Sequence, residues 1–261
     1  MFRGAFTLLE LLVVLAVITV LGTLILSATH IVKEKAQSAQ CVSNLRQLAA
    51  ANLAHAAENN GQFVQAQERE NLIRWHGIRS GATEAFNAEK GPLAPYLGTE
   101  ARVKLCPAFR DALKDSESFE ESTGGYGYNA LYIGGTPADR FRAERMSNVP
   151  RPANTVMFTD TAFARARGIQ EYAYSEPFRS TDSAGRLRGA LSPSVHFRHH
   201  DRANVAWCDG HVSGESFSAL GKLNSYGGDS AKWKIGWFGP NGNNGYWNPH
   251  AELVTDPDQA R

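Results

Sequence analysis

Cysteine is scarce in this chain: three residues in 261, Cys41, Cys106 and Cys208, with no C-x-x-C pair among them. That pattern excludes a zinc ribbon, and so low and odd a count excludes a disulfide-dense scaffold. An excess of one charge is also missing. Lys plus Arg number 27 against 26 Asp plus Glu, so no nucleic-acid partner is expected. There is no G-x-S-x-G elbow, phosphate loop, dinucleotide fingerprint or H-E-x-x-H pair, and an enzyme is not expected. Charge is nearly absent from Ala5 to Val32, where Glu10 stands alone.

What that stretch does hold is aliphatic. Leu11 to Leu26 is interrupted only by Thr19, Gly22 and Thr23. A bilayer core takes roughly 20 mostly apolar helical residues, so 6–32 is expected to span a membrane before Lys33, Glu34 and Lys35 return to water. A signal peptide removed whole fits poorly, because the run is too long and Leu26-Ser27-Ala28 is a weak cleavage site. Glu10 is the anomaly. An acidic side chain inside an apolar helix costs roughly 3 kcal/mol at the bilayer centre, so a cationic partner is expected. Helical spacing continues through Ile31, Ala36, Ala39, Val42, Leu45, Ala49, Leu53 and Ala56. Asn59-Asn60-Gly61 offers the left-handed residues that end a helix, giving one helix over 6–58.

Beyond Gly61, Pro and Gly punctuate the chain and helical periodicity fades. Thr155–Thr159 reads as a strand. Asn204–Cys208, then Asp209-Gly210, then His211–Ser213 is the strand, D-G, strand pattern of a β-hairpin. The stretch Ile235–Pro249 is too rich in Gly and Asn for a long element, and its aromatics are expected to pin a loop to the head. Residues 250–261 read as a flexible tail. In an oxidising compartment three cysteines make one bridge and one spare thiol. A Cys41–Cys106 bridge would tie helix to head; the alternative is two separate buried thiols. Cys208, behind Val205-Ala206-Trp207, reads as a packing residue on a strand rather than a nucleophile.

The densest polar cluster is His196-Phe197-Arg198-His199-His200-Asp201, followed by Asp209 and His211. His196, His199, Asp209 and His211 are the candidate transition-metal ligands, although their spacing matches no closed zinc pattern. A turn explains Asp209-Gly210 without any ligand, with His199 hydrogen-bonding that turn's backbone.

The string Arg3-Gly4-Ala5-Phe6-Thr7-Leu8-Leu9-Glu10-Leu11-Leu12-Val13-Val14 closely resembles the class III signal of type IV pilins and type II secretion pseudopilins. The resemblance implies a leader, 1–5, cut by prepilin peptidase before Phe6, with N-methylation of the new amine. Glu10 then becomes fifth in the mature chain and pairs with an N-terminal amine during assembly. The family pattern has Gly before the cut, whereas here Ala5 precedes Phe6 and Gly4 lies one place upstream. His199, nine residues, then Asp209-Gly210 resembles the H-X9-DG head of a prepilin-type family of planctomycetes and verrucomicrobia. Cys41–Leu48, Leu105-Cys106-Pro107 and Tyr126-Gly127-Tyr128-Asn129 resemble the same family. The implied fold is α+β and pilin-like: a long N-terminal helix, its first half transmembrane, packed on a mainly antiparallel β head over 59–249. The implied function is a structural subunit of a type IV pilus-like or pseudopilus filament. Its partners would be prepilin peptidase, sister subunits and the inner membrane, with the head in the periplasm. The alternative is an anchored extracytoplasmic metal- or glycan-binding protein that uses the pilin signal for export. Some pseudopilins bind calcium through a C-terminal loop. Asp160, Asp201, Asp209 and Asp229 are the candidate oxygen donors, without an EF-hand run.

Overall fold

The computed structural model describes residues 7–68, 70–113, 121–135, 142–182, 186–221, 224, 227–239 and 244–251; within the first helix the side chains of 24–28, 30 and 31 lie outside this set. The processing residues Gly4, Ala5 and Phe6 and most of the expected tail also fall outside it. The architecture is α+β.

Helix α1 runs from Leu8 to Glu58 and starts on a capping box. Thr7 Oγ1 accepts from the Glu10 N–H at 3.2 Å, while the Glu10 carboxylate accepts from the Thr7 N–H and hydroxyl, each at 2.9 Å. This satisfies amide donors that the first turn would otherwise leave orphaned. At the other end Asn60 and Gly61 take φ of 55° and 76°, and the Gly61 N–H donates to the Ala56 carbonyl at 2.8 Å.

The transmembrane assignment for 6–32 is corrected. Among the described residues no helix is long and apolar enough to cross a membrane. Glu10 belongs to the exposed N-terminal turn rather than to the middle of an apolar span.

The second half of α1 is the wall of the core. Its buried positions, Cys41, Asn44, Leu45, Leu48, Ala49, Ala51, Asn52 and Ala56, recur mostly at steps of one, three and four and form one stripe. The stripe is narrower than the sequence spacing implies, since Ala36 and Ala39 are exposed. It packs on a four-stranded antiparallel sheet made of β1 (Tyr126–Tyr128), β2 (Val156–Asp160), β3 (Arg202–Trp207) and β4 (Val212–Ser216), in the order β4-β3-β2-β1. Alternation along β3 sorts its two faces. Ala206 faces the cluster shared with α1, while Ala203, Val205 and Trp207 join Val195, Phe197, Phe238 and Trp247 in a second cluster. Trp247 fixes the Gly/Asn-rich loop by donating from Nε1 to the Ser175 carbonyl at 3.1 Å. Arg151 holds the Ala251 carbonyl, so the described start of the tail is tied down. A three-stranded sheet of Val195–His196, Ile235–Trp237 and Ala219–Leu220 flanks the main one. Helix α2, Pro107–Ala112, lies against α1.

The Tyr126-Gly127-Tyr128-Asn129 block is a packing device. Tyr126 OH accepts from Asn44 Nδ2 at 3.2 Å, and Tyr128 OH donates to the Val64 carbonyl at 3.0 Å. Between them a Cβ on Gly127 would stand 2.4 Å from Thr161 and 2.6 Å from the Tyr174 carbonyl, so the sheet edge closes only over glycine.

Candidate functional site

A cluster of buried polar groups sits where α1, α2 and the hairpin before β3 meet. Cys41 on α1 and Cys106, the residue before α2, are joined by a disulfide with Cα atoms 5.1 Å apart. Both are fully buried. Cys106 is positioned by its own N–H, which donates to the Gly124 carbonyl at 3.0 Å. Next to it Gly125 takes φ of 79°, and a Cβ there would lie 2.5 Å from the Phe109 ring, so the loop that supports the disulfide needs glycine twice over.

His199 reaches the disulfide from the opposite side. His200 and Asp201 adopt φ of 53° and 60°, the left-handed pair of a type I′ turn, and His199 and Arg202 exchange both backbone hydrogen bonds at 3.0 and 3.1 Å. The turn aims the imidazole inward. Its Nε2 lies 3.7 Å from Cys106 Sγ and 3.3 Å from Asp160 Oδ2. The expected hydrogen bond from His199 to the Asp209-Gly210 turn is therefore corrected. The nine intervening residues are occupied by β3, and a six-residue strand puts roughly 20 Å between its two ends. His199 sits at the hairpin entering β3 and Asp209-Gly210 at the hairpin leaving it.

Asp160, at the end of β2, is the anion of this centre. Its Oδ1 accepts from Arg198 Nη2 at 2.6 Å, and its Oδ2 accepts from the Asn204 N–H at 2.7 Å. Arg198 also donates to the carbonyls of Gly125, at 2.7 Å, and Thr161, at 3.2 Å, and lies 4.9 Å over the Phe109 ring. The pair is almost fully buried, at 3% and 0% side-chain exposure. Burial disfavours the Arg198 charge, and Asp160 is the largest influence restoring it. Burial likewise holds His199 below the usual imidazole range despite the favourable Asp160 charge. His196 is held well below it, first by burial and then by Arg198.

The proposed ligand set of His196, His199, Asp209 and His211 is not brought together. His196 packs edge-on to Phe109 with ring centroids 6.1 Å apart. Asp209 and His211 pair with each other at the far hairpin, Oδ1 to Nδ1, at 2.7 Å. The four oxygen donors considered for calcium are scattered as well. Asp160 serves Arg198, Asp201 pairs with Lys234, Asp209 with His211, and Asp229 accepts from the Lys232 N–H. Among the described residues the metal-type donors that do converge are Cys41, Cys106 and His199, whose ligand atoms all lie within 4.8 Å of one another. Cysteine spacing carried no hint of this, because the three residues come from separate elements.

Cys208 is buried, its Sγ is 3.9 Å from the Val156 carbonyl, and burial pushes its thiol pKa up, as suits packing rather than nucleophilic chemistry. Beside His199 opens a cleft of about 260 Å³, bordered by Glu34, Asp111 and His200.

No family model matches the chain, and no curated protein and no solved structure matches it either.

Proposed function

We propose that this protein is a structural subunit of a filament of the type IV pilus or pseudopilus kind, assembled through its N-terminal helix after removal of residues 1–5 by prepilin peptidase. The observation that carries the reading is the surface of α1. Every residue from Thr7 to Leu21 is exposed, with Leu8 at 85% and Leu15 still at 50%. Uncovered apolar surface on all sides of a helix marks an interaction site. Further along the same helix, Cys41 to Ala56 is locked into the head. One rigid element thus presents an apolar stem and carries a folded head.

Copies of the same stem are the occupants that fit, because Glu10 supplies the polar complement. Its carboxylate is turned back onto the Thr7 N–H, toward the chain's beginning. Cleavage before Phe6 would create an α-amine with pKa near about 7.7–8.0, cationic at neutral pH and suited to a neighbouring subunit's carboxylate.

Glu10→Gln separates the two roles of this residue, since Gln still serves a capping box while losing the charge. The variant should be cut before Phe6 like the wild type, as read by N-terminal sequencing, yet fail to enter filaments seen by electron microscopy. Wild-type incorporation of Glu10→Gln would remove the ion pair from the assembly, and an uncut N-terminus would remove the peptidase.

A further inference from the structure

The disulfide and His199 together form a set of donors whose chemistry exceeds that of a staple. We infer that, once the Cys41–Cys106 bond is reduced, Cys41, Cys106 and His199 bind a divalent metal of the zinc class, with the Asp160 carboxylate beside His199 available for the fourth position.

Two thiolates and an imidazole are the donors zinc prefers. With Zn–S bonds of about 2.3 Å and Zn–N or Zn–O bonds of about 2.0–2.1 Å, a tetrahedral site sets S–N edges of about 3.6 Å and N–O edges of about 3.3 Å. The structure has both already: His199 Nε2 is 3.7 Å from Cys106 Sγ and 3.3 Å from Asp160 Oδ2. The sulfurs need to part to about 3.8 Å, which Cα atoms 5.1 Å apart allow by side-chain rotation, and the Asp160 carboxylate, which lies outside the group of three, needs to swing toward them.

Charge closes as well. Two thiolates neutralise the dication, and Asp160 remains balanced by Arg198, so the buried centre gains no net charge. The donors are held by α1, the start of α2 and the hairpin before β3, so an ion there would join the elements the disulfide joins. The cleft bordered by Lys33, Glu34, Asp111 and His200 reaches His199, the donor of the three nearest to solvent.

The chemistry balances in two steps. A phosphine reductant and one water convert the disulfide to two thiols and a phosphine oxide. The metal then displaces one proton from each thiol. This inference does not depend on the filament reading.

The test uses the full chain in mild detergent, reduced anaerobically with a water-soluble phosphine and titrated with cobalt(II) as a spectroscopic stand-in for zinc. One equivalent should bind, with thiolate-to-cobalt charge transfer and the strong visible bands of tetrahedral cobalt, and zinc should displace it. The unreduced chain should show neither feature. Cys208→Ser should keep the spectrum and Cys106→Ser lose it. His199→Ala should weaken binding by at least about 10–100-fold, the range for disturbing a metal centre even in its outer shell. Absence of the charge-transfer band in the reduced wild type overturns the proposal, as does unchanged affinity in a folded His199→Ala. If that variant does not fold, alkylation of the reduced wild type decides. One equivalent of zinc must protect Cys41 and Cys106, and alkylation at the metal-free rate overturns the site.

Discussion

Removing Arg198 while leaving Asp160 in place should be among the most damaging single changes in the head. The side chains are 3% and 0% exposed and 2.6 Å apart. Arg198→Met leaves Asp160 with the Asn204 N–H and His199 but no fixed cation. A buried charge stripped of its partner costs about 3–5 kcal/mol. Asp160→Asn should cost a similar amount by stranding the guanidinium. The double variant removes both charges, yet the carbonyls of Gly125 and Thr161 lose the donor Arg198 gave them, at about 1–3 kcal/mol each. It should therefore stay about 2–6 kcal/mol below the wild type instead of matching it, against about 6–10 kcal/mol for the two single losses added, so the coupling energy centres on about 4 kcal/mol. Guanidinium denaturation in mild detergent, followed by the fluorescence of the five tryptophans, measures all four corners of the cycle. With a denaturant slope of about 4 kcal/mol per molar, either single change should lower the midpoint by about 1 M. Losses that add to within about 0.5 kcal/mol would show that the two residues act independently, and the account of this centre would then fail.

Two further outcomes are expected. Cys106→Ala, or reduction in the absence of metal, opens a loop of sequence separation 65 and should cost about 4 kcal/mol in the chain-entropy model; denaturation midpoints with and without reductant measure it, and equal midpoints would contradict the staple. His76 is held well below the usual imidazole range, first by burial and then by the guanidiniums of Arg74 and Arg79, with Ser122 Oγ 3.1 Å from its Nδ1. A lowered folded-state pKa means the unfolded chain takes up the proton first, so stability falls as pH drops below about 6.5, by up to about 1.4 kcal/mol per pH unit. His76→Phe should be less acid-sensitive than the wild type between pH 7 and 5. Equal pH slopes for the two would place the acid response elsewhere.

Local chemistry was legible and distant convergence was not. Asn59-Asn60-Gly61 could be read as a helix end because positive φ is a property of residue type. The Asp209-Gly210 hairpin was legible for the same reason, with Gly210 at φ 93°. Thr7-Leu8-Leu9-Glu10 carried the S/T-x-x-E spacing of a capping box in plain view, and the long apolar run drew the reading of Glu10 toward a buried carboxylate instead. The turn at His200-Asp201 gave no such sign, because neither residue is the Asn-Gly that usually fills a type I′ turn. That omission hid the direction of His199. With the imidazole aimed at the turn beyond β3, its neighbours Cys106 and Asp160, 93 and 39 positions away, could not be guessed from spacing.

The position of the disulfide gives the proposed function a mechanical side. Among the described side chains Cys41 is the first buried one of α1, shortly after the surface contacts of Lys33 and Gln37 with Asp111 and of Glu34 with His200, so the bond lies near the point where the exposed stem passes into the head. A subunit held in a filament by its stem transmits load along that helix, and separation of helix from sheet would begin at this boundary. Past Cys41 the helix is retained by the packing of Leu45, Leu48 and Ala49 and by the Asn44–Tyr126 hydrogen bond, contacts that yield one at a time when peeled from an end. A covalent link at the start of the buried contacts stops peeling there and forces the remaining contacts to break together. An ion held by Cys41, Cys106 and His199 in the reduced chain would occupy the same boundary, so either chemistry joins the stem to the head at the point where peeling would start.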